Sequence, residues 1–325
     1  NPAALMEMNG LEAYAHGASP YYILNAAHYA DAALAYRLSD RFAVAVQYDR
    51  FDWNWAESGF VIVDPVGNTY GTWGPGSEDV IQQYTVAVAG RIVGGLSAGL
   101  SGTWMHVGFP LDVEAPVASF SLTEVVKGKS SGVWRPSFRF AGALRNLTSS
   151  RLVEEGEAPY GSWKLDERIP VTGRLGGSAT LGFHSGVLAD SLRTAALTAH
   201  VQYDDDVNSR YRSAVRLGAE LELLQIVFLR VGWFKQDVYD YELPQYNKDV
   251  LSAVTYGVGL NIPVRELTKG KIPVSISVDY TRLPQVSYSQ DDLSPFTDDE
   301  WDDFESFSLR INYGLGRLVK PRTKA

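Results

Sequence analysis

Gly95, Ser97 and Gly99, in the stretch GLSAG, match the G-x-S-x-G pattern that lifts a nucleophilic serine on a sharp turn between a strand and a helix. The residues that follow, LSGTW, keep alternating and announce no helix, so small residues in a sheet are the expectation, not a hydrolase. His16, His28, His106, His184 and His200 are dispersed, with no i, i+2 or i, i+4 pair suited to a metal, and neither His106 nor His184 shows a pairing with Ser97. The chain has no cysteine, which removes thiolate catalysis, disulfides and cysteine-ligated metals. No catalytic, cofactor or metal residue is therefore expected. Asn146-Leu-Thr148 is a glycosylation sequon in form only.

Two other sets of charged residues invite attention. Residues 289–306, SQDDLSPFTDDEWDDFES, crowd Asp291, Asp292, Asp298, Asp299, Glu300, Asp302 and Asp303 together without the spacing of a calcium loop. A solvated loop is expected there, with a bridging Ca2+ or a basic partner as the functional alternative. The second set is scattered singly through alternating segments: Arg37, Arg91, Arg139, Arg145, Arg174, Arg216, Glu220, Glu222, Arg230, Asp279 and Arg310. A lone charge in a dry interior costs several kcal/mol, so each of these must pair or meet water.

The elements that position these charges follow from the alternation. Residues 171–183 read VTGRLGGSATLGF, residues 215–223 read VRLGAELEL, and residues 307–315 read FSLRINYGL. Each places an apolar row opposite a row of Gly, Ser, Thr and isolated charges, the period of a strand with two unlike faces. About fourteen such segments are expected, an even number that suits a closed barrel with both ends on one side. Weaker alternation at residues 129–136 is one of them, and residues 110–128 read as a long link.

Composition agrees. Aromatics make up 12%, with 18 Tyr and 8 Trp among 30 Gly, a mixture for short strands and tight turns. The net charge of -9 leaves no basic face for nucleic acid. No run of about 18 apolar residues exists, yet a mean hydropathy of -0.12 is what a membrane β-barrel shows, because its two faces average out. Short links at residues 38–41, 91–95, 135–137 and 223–226 alternate with long ones at 54–80, 148–170, 235–249 and 284–303. That inequality is the rim asymmetry of an outer-membrane barrel, with the long loops extracellular, and it puts the acidic run against lipopolysaccharide. A soluble sandwich would carry Lys and Glu freely on its polar face, whereas here that face is mostly small. Tyr48, Phe51, Trp233, Phe234 and Tyr313, near strand ends, read as interfacial girdles.

The opening NPAAL (Asn1, Pro2 and Ala3 leading), LEAYAHG, AYRLSDRFAVAVQYD, FRFAGALRNL, VRLGAELELLQIVFLRVGWF and the closing FSLRINYGL resemble the PorV/PorQ group, relatives of the FadL-like barrels. The resemblance spans nearly the whole chain. It implies an all-β, FadL/PorV-like transmembrane antiparallel barrel of about 14 strands in the bacterial outer membrane, in contact with its lipid. The barrel would form a single domain over residues 1–325, with 1–10 the remnant of a periplasmic plug segment and 316–325 a basic periplasmic tail. The chain opens on Asn1, as a processed or trimmed chain would, without the Gly-rich stretch that usually precedes the motif. The first functional expectation is an adaptor of type IX secretion that binds a translocon and the C-terminal domain of secreted cargo. A FadL-like transporter of hydrophobic molecules is the alternative, against which the Arg-rich inward set weighs, and a porin-like or structural barrel comes third. Arg310 needs a carboxylate, and Glu12 or Asp279 should supply it.

Overall fold

The computed structural model describes residues 1–19, 27–54, 61–63, 69–72, 78–107, 113–158, 161–184, 193–207, 213–239, 248–264, 268, 272–283 and 304–314. The strands in chain order are β1 (Leu11–Ser19), β2 (Ala27–Arg37), β3 (Phe42–Asn54), β4 (Val61–Val63), β5 (Thr69–Thr72), β6 (Glu78–Val93), β7 (Leu96–Val107), β8 (Val113–Lys127) and β9 (Trp134–Arg145). They continue with β10 (Arg151–Ala158), β11 (Gly161–Arg168), β12 (Thr172–Phe183), β13 (Ala195–Asp206), β14 (Ser213–Leu223), β15 (Val227–Tyr239), β16 (Lys248–Ile262), β17 (Val274–Leu283) and β18 (Phe304–Tyr313). Fourteen of them close into one antiparallel barrel, while β4–β5 and β10–β11 form separate hairpins. β1 pairs with both β2 and β18, so the closed wall has no free edge and every strand satisfies its backbone through its neighbours.

Residues paired across an antiparallel ladder share a face, so one marker of the inside fixes the phase of every strand. That marker is a 3-10 helix, Pro2–Glu7, whose Ala3 and Met6 are 0% and 1% exposed. Met6 packs on Ala43 of β3 and Ala89 of β6, which therefore point into the lumen. The opposite row carries Leu34, Phe42, Val46, Val86 and Val88, all exposed, with Val86 at 65%. Carried around the ladders, this phase turns Leu175, Leu197, Leu229, Val258, Leu309 and Ile311 outward as well. A belt of bare aliphatic side chains around a closed sheet costs about 25 cal/mol per Å2 in water and is at home in hydrocarbon. Among the described residues no helix is long and apolar enough to cross a membrane; the fourteen barrel strands, 9 to 16 residues long, reach or exceed the roughly 9–11 needed to cross.

Three sequence expectations change. Residues 113–127 are strand, not link: Val113, Ala115, Val117, Ser119, Ser121 and Thr123 line the lumen in an unbroken alternation, and Pro116 sits on the outward row near the loop rim. Proline there disguises the strand because it withdraws a ladder donor. Residues 129–136 are mostly turn, with β9 starting at Trp134. Among the girdle aromatics, Tyr48, Trp233 and Tyr313 face outward, but Phe51 and Phe234 share the inward rows of Asp49 and Arg230. The acidic run at Asp291, Asp292, Asp298, Asp299, Glu300, Asp302 and Asp303, and the basic tail 316–325, lie outside the described residues.

Candidate functional site: a plugged, ion-paired lumen

The N-terminal helix reaches the inner wall because that wall is built from small residues. Ala43, Ala87, Ala89, Gly99, Ser121 and Thr123 leave a shallow seat, and a Cβ on Gly99 would collide with Pro2 and Ala3. Asn1, Pro2 and Ala3 make the anchor: Asn1 Nδ2 donates to Thr123 Oγ1 at 3.0 Å, and the Ala3 N–H donates to Ser121 Oγ at 2.9 Å. At the other end of the helix, Arg91 donates to the Met6 carbonyl at 3.4 Å, Arg37 to the Met8 carbonyl at 3.0 Å, and Arg139 pairs with Glu7. Buried helix ends need such partners, because their backbone groups have no others. The segment is thus a plug against β3, β6, β7 and β8, near the rim of short turns.

The wall on the other side is held by ion pairs. Asp204 of β13, only 8% exposed, accepts from Arg174 of β12 at 2.8 and 3.1 Å, from Gln202 at 2.9 Å, and from Arg216 of β14. Glu222 takes both arms of Arg193, at 3.1 and 2.6 Å. Arg230 of β15 bridges Glu220 at 2.6 Å and Asp279 of β17. Arg310 reaches Glu12 at 3.5 Å and lies 5.7 Å over the Tyr14 ring. Arg145 stands in the inward row of β9 opposite Thr172, with no ion pair among the described residues.

A third group sits toward the loop rim: His16 Nδ1 is 2.9 Å from Asp31, while Tyr29 and Gln47 donate to Asp49 at 2.9 and 2.7 Å. The scattered charges of the sequence are thus largely brought together, and the partners that sequence reasoning passed over are Asp204, Arg193, Glu7, Asp31 and Asp49. Their signal was phase: Asp31 of β2, Asp49 of β3 and Asp204 of β13 fall in the same alternating rows as the small lumen residues.

Along the ladder run two cavities, about 260 and 280 Å3, that share Arg139, Ser178 and His200; Gly176 and Gly218 line the first, and Glu220 and Glu222 the second. Ser97 lies in the inward row of β7, which continues to Val107 as strand, so the nucleophile elbow is absent; His106 sits at the far end of that strand on the outward face, 3.9 Å from Glu114. Among the described residues no group of three His, Asp or Glu side chains could hold a metal.

One further hollow opens on the outward face. Gly142 of β9 and Gly173 of β12 stand among Phe120, Leu122, Leu144 and Leu175, and the missing side chains leave an apolar cavity of about 390 Å3 closed at one end by Tyr203. Only the sheet backbone at Ala143 and Arg174 separates it from the lumen.

No protein-family model matches the chain, and no curated protein does. Solved structures do. The chain is similar to the toluene transporter TodX of Pseudomonas putida, at 9% identity and a TM-score of 0.43, over 96% of this chain and 91% of that one. It is similar to a FadL homologue of Pseudomonas aeruginosa at 12% identity and a TM-score of 0.42, over 97% and 93%. A likeness to the toluene transporter TbuX of Ralstonia pickettii, 11% identical with a TM-score of 0.38, covers 96% and 90%. The likeness is one of barrel architecture, spread over nearly the full length of each chain.

Proposed function

We propose that this chain is an outer-membrane barrel that carries small hydrophobic molecules, with its turn rim and both termini in the periplasm and its long loops outside the cell. The observation that carries this reading is the apolar hollow at Gly142 and Gly173, open toward hydrocarbon and one backbone thick from the lumen. A cavity of this size takes a small hydrophobic molecule against its aliphatic and aromatic wall, with Tyr203 and Asp205 the polar side chains of its outward lining. The charged interior no longer weighs against such cargo. Arg174, Arg193, Arg216, Arg230 and Arg310 are each matched by a carboxylate, so they brace the wall and leave the cargo's path to the small residues beside them. The N-terminal helix occupies the inner wall at β3, β6, β7 and β8, which a porin-like barrel would leave open to water-soluble solutes. Uptake of radiolabelled toluene and of a disaccharide by intact Gram-negative cells expressing the chain tests the reading. Faster toluene entry with no gain for the sugar is expected, and equal toluene entry with and without the chain ends it.

The second reading is the type IX secretion adaptor, with a translocon and a cargo C-terminal domain as partners. What favours it is that two of the six segments carrying the resemblance have definite tasks in the barrel: Asn1, Pro2 and Ala3 anchor the N-terminal helix, and β18 closes the wall against β1. Affinity capture of the detergent-extracted chain, followed by mass spectrometry, tests it. Recovery of a very large translocon or secreted cargo supports the adaptor; bound lipid alone excludes it.

A further inference from the structure

We propose that the barrel mouth on the turn side, beneath the plug, is a binding site for an anionic carboxylate or phosphate group. A cavity of about 530 Å3 opens there, lined by Arg37, Arg91 and Lys127 together with Glu7 and the hydroxyl-bearing Ser97 and Thr123. Its charge balance differs from that of the ion-paired wall. Arg174, Arg216, Arg230 and Arg310 face carboxylates, whereas the two arginines of the mouth donate mainly to carbonyls. Arg37 donates to the carbonyls of Met8 at 3.0 Å and Ser39 at 3.1 Å, and its acidic partner among the described residues, Asp40, has a side chain 84% exposed to solvent. Among the described residues the Arg91 guanidinium donates to the Met6 carbonyl alone. Lys127 makes no hydrogen bond among the described residues, and the Glu7 carboxylate is paired with Arg139.

Three cations therefore converge on one solvated cavity with free donors left on each, and a carbonyl neutralises none of their charge. Guanidinium groups match the paired oxygens of carboxylate and phosphate, and an ammonium adds a mobile point charge. The cavity is wide enough for such a group with part of its hydration shell. The anion could be the headgroup phosphate of a lipid on the turn side or the carboxylate of an acidic small molecule, and the chemistry of recognition is the same for both. The site goes beyond the proposed transport of hydrophobic molecules and does not depend on it.

Equilibrium dialysis of the full chain in non-ionic detergent, against radiolabelled octanoate and separately against inorganic phosphate, tests the site. One bound anion per barrel at low salt is expected, displaced as salt rises. Lys127→Glu should weaken binding at least about tenfold, while Lys129→Glu, an exposed lysine in the neighbouring turn outside the cavity, should leave it intact. Both lysines are exposed, so both variants keep the wall unchanged, and unaltered melting verifies this. Octanoate binding alone assigns an acidic small molecule, phosphate binding alone assigns a phosphate group, and binding of both supports the site as a general anion cradle. Failure of both probes to bind wild type overturns the proposal, as does equal affinity in Lys127→Glu and Lys129→Glu.

Discussion

Arg310 in the last strand faces Glu12 in the first, Nε to Oε1 at 3.5 Å, across the seam where the barrel closes. The contact is partly solvated, since the arginine side chain is 50% exposed, so its worth lies at the low end of ion pairs, below about 1 kcal/mol. Closure rests instead on the backbone ladder from Leu11–Tyr313 to Ser19–Glu305. Arg310→Gln should therefore lower the melting temperature of the detergent-solubilised barrel only slightly. Glu12→Gln should do the same, and the double variant should show little coupling. A loss of several kcal/mol from either single change would make the ion pair the clasp, against this account.

Asp204 presents the contrary case. It is nearly buried and accepts from Arg174, Arg216 and Gln202, so removing its charge leaves two guanidinium groups close together without a counter-ion. Water in the lumen reaches both arginines, which are about two-fifths exposed, and this limits the cost. Asp204→Asn should destabilise by about 1–3 kcal/mol. Replacing Arg216 by Gln in the same chain should restore part of that loss. Unfolding in guanidinium chloride, followed by tryptophan fluorescence, measures both.

The fold was legible because a two-faced strand repeats every second residue, and that period survives whatever the loops do. Residues 307–313 illustrate it: Phe307, Leu309, Ile311 and Tyr313 point outward and Arg310 and Asn312 inward, as the alternation required. The eighth strand was hidden for a local reason, Pro116 in its outward row, and the weak alternation at residues 129–136, mostly turn, stood in its place in the count. The site was legible only by halves. Arginines stood out in their rows, but which carboxylate meets which arginine depends on register between strands, and the pairing of Gln202 with Arg216, which brings Asp204 within reach, is a property of the ladder and not of either strand. The plug was less legible still, since its seat is defined by what is missing, the side chains of Gly99, Ala43 and Ala89.

That seat gives a test of gating. Gly99→Val places methyl groups where Pro2 and Ala3 now lie, and Ser121→Val removes the acceptor of the Ala3 N–H. Both changes leave the outward row untouched. Each should unseat the plug and raise the single-channel conductance of the barrel in planar bilayers, and removal of residues 1–8 should give the same conductance. If the truncated chain conducts no better than wild type, the helix is not the barrier. If truncation opens the channel but Gly99→Val does not, the plug is held by Arg37, Arg91 and Arg139 and not by its N-terminal anchor.

Asn146 allows a last test, on the loop rim. It has a positive φ of 57°, a conformation asparagine tolerates better than most residues, and it is 2% exposed. Its side chain donates to the carbonyls of Ile169 and Pro170, and its Oδ1 accepts from the Ser150 N–H at 3.2 Å. Those bonds tie both ends of the β10–β11 hairpin to the top of β9, while Thr148 and Ser150 donate to the Pro116 carbonyl of β8. Asn146→Ala should cost the tie about 1–3 kcal/mol, because buried backbone groups lose their partners. The barrel ladder does not depend on these bonds, so the effect should be local: faster trypsin cleavage at Arg151, Lys164 or Arg168, with an unchanged melting temperature of the barrel. Asn146→Gly, which relieves the backbone strain but not the lost bonds, should cleave at the same faster rate. A wild-type cleavage rate in Asn146→Gly would mean that the turn conformation, and not the side chain, holds the hairpin down.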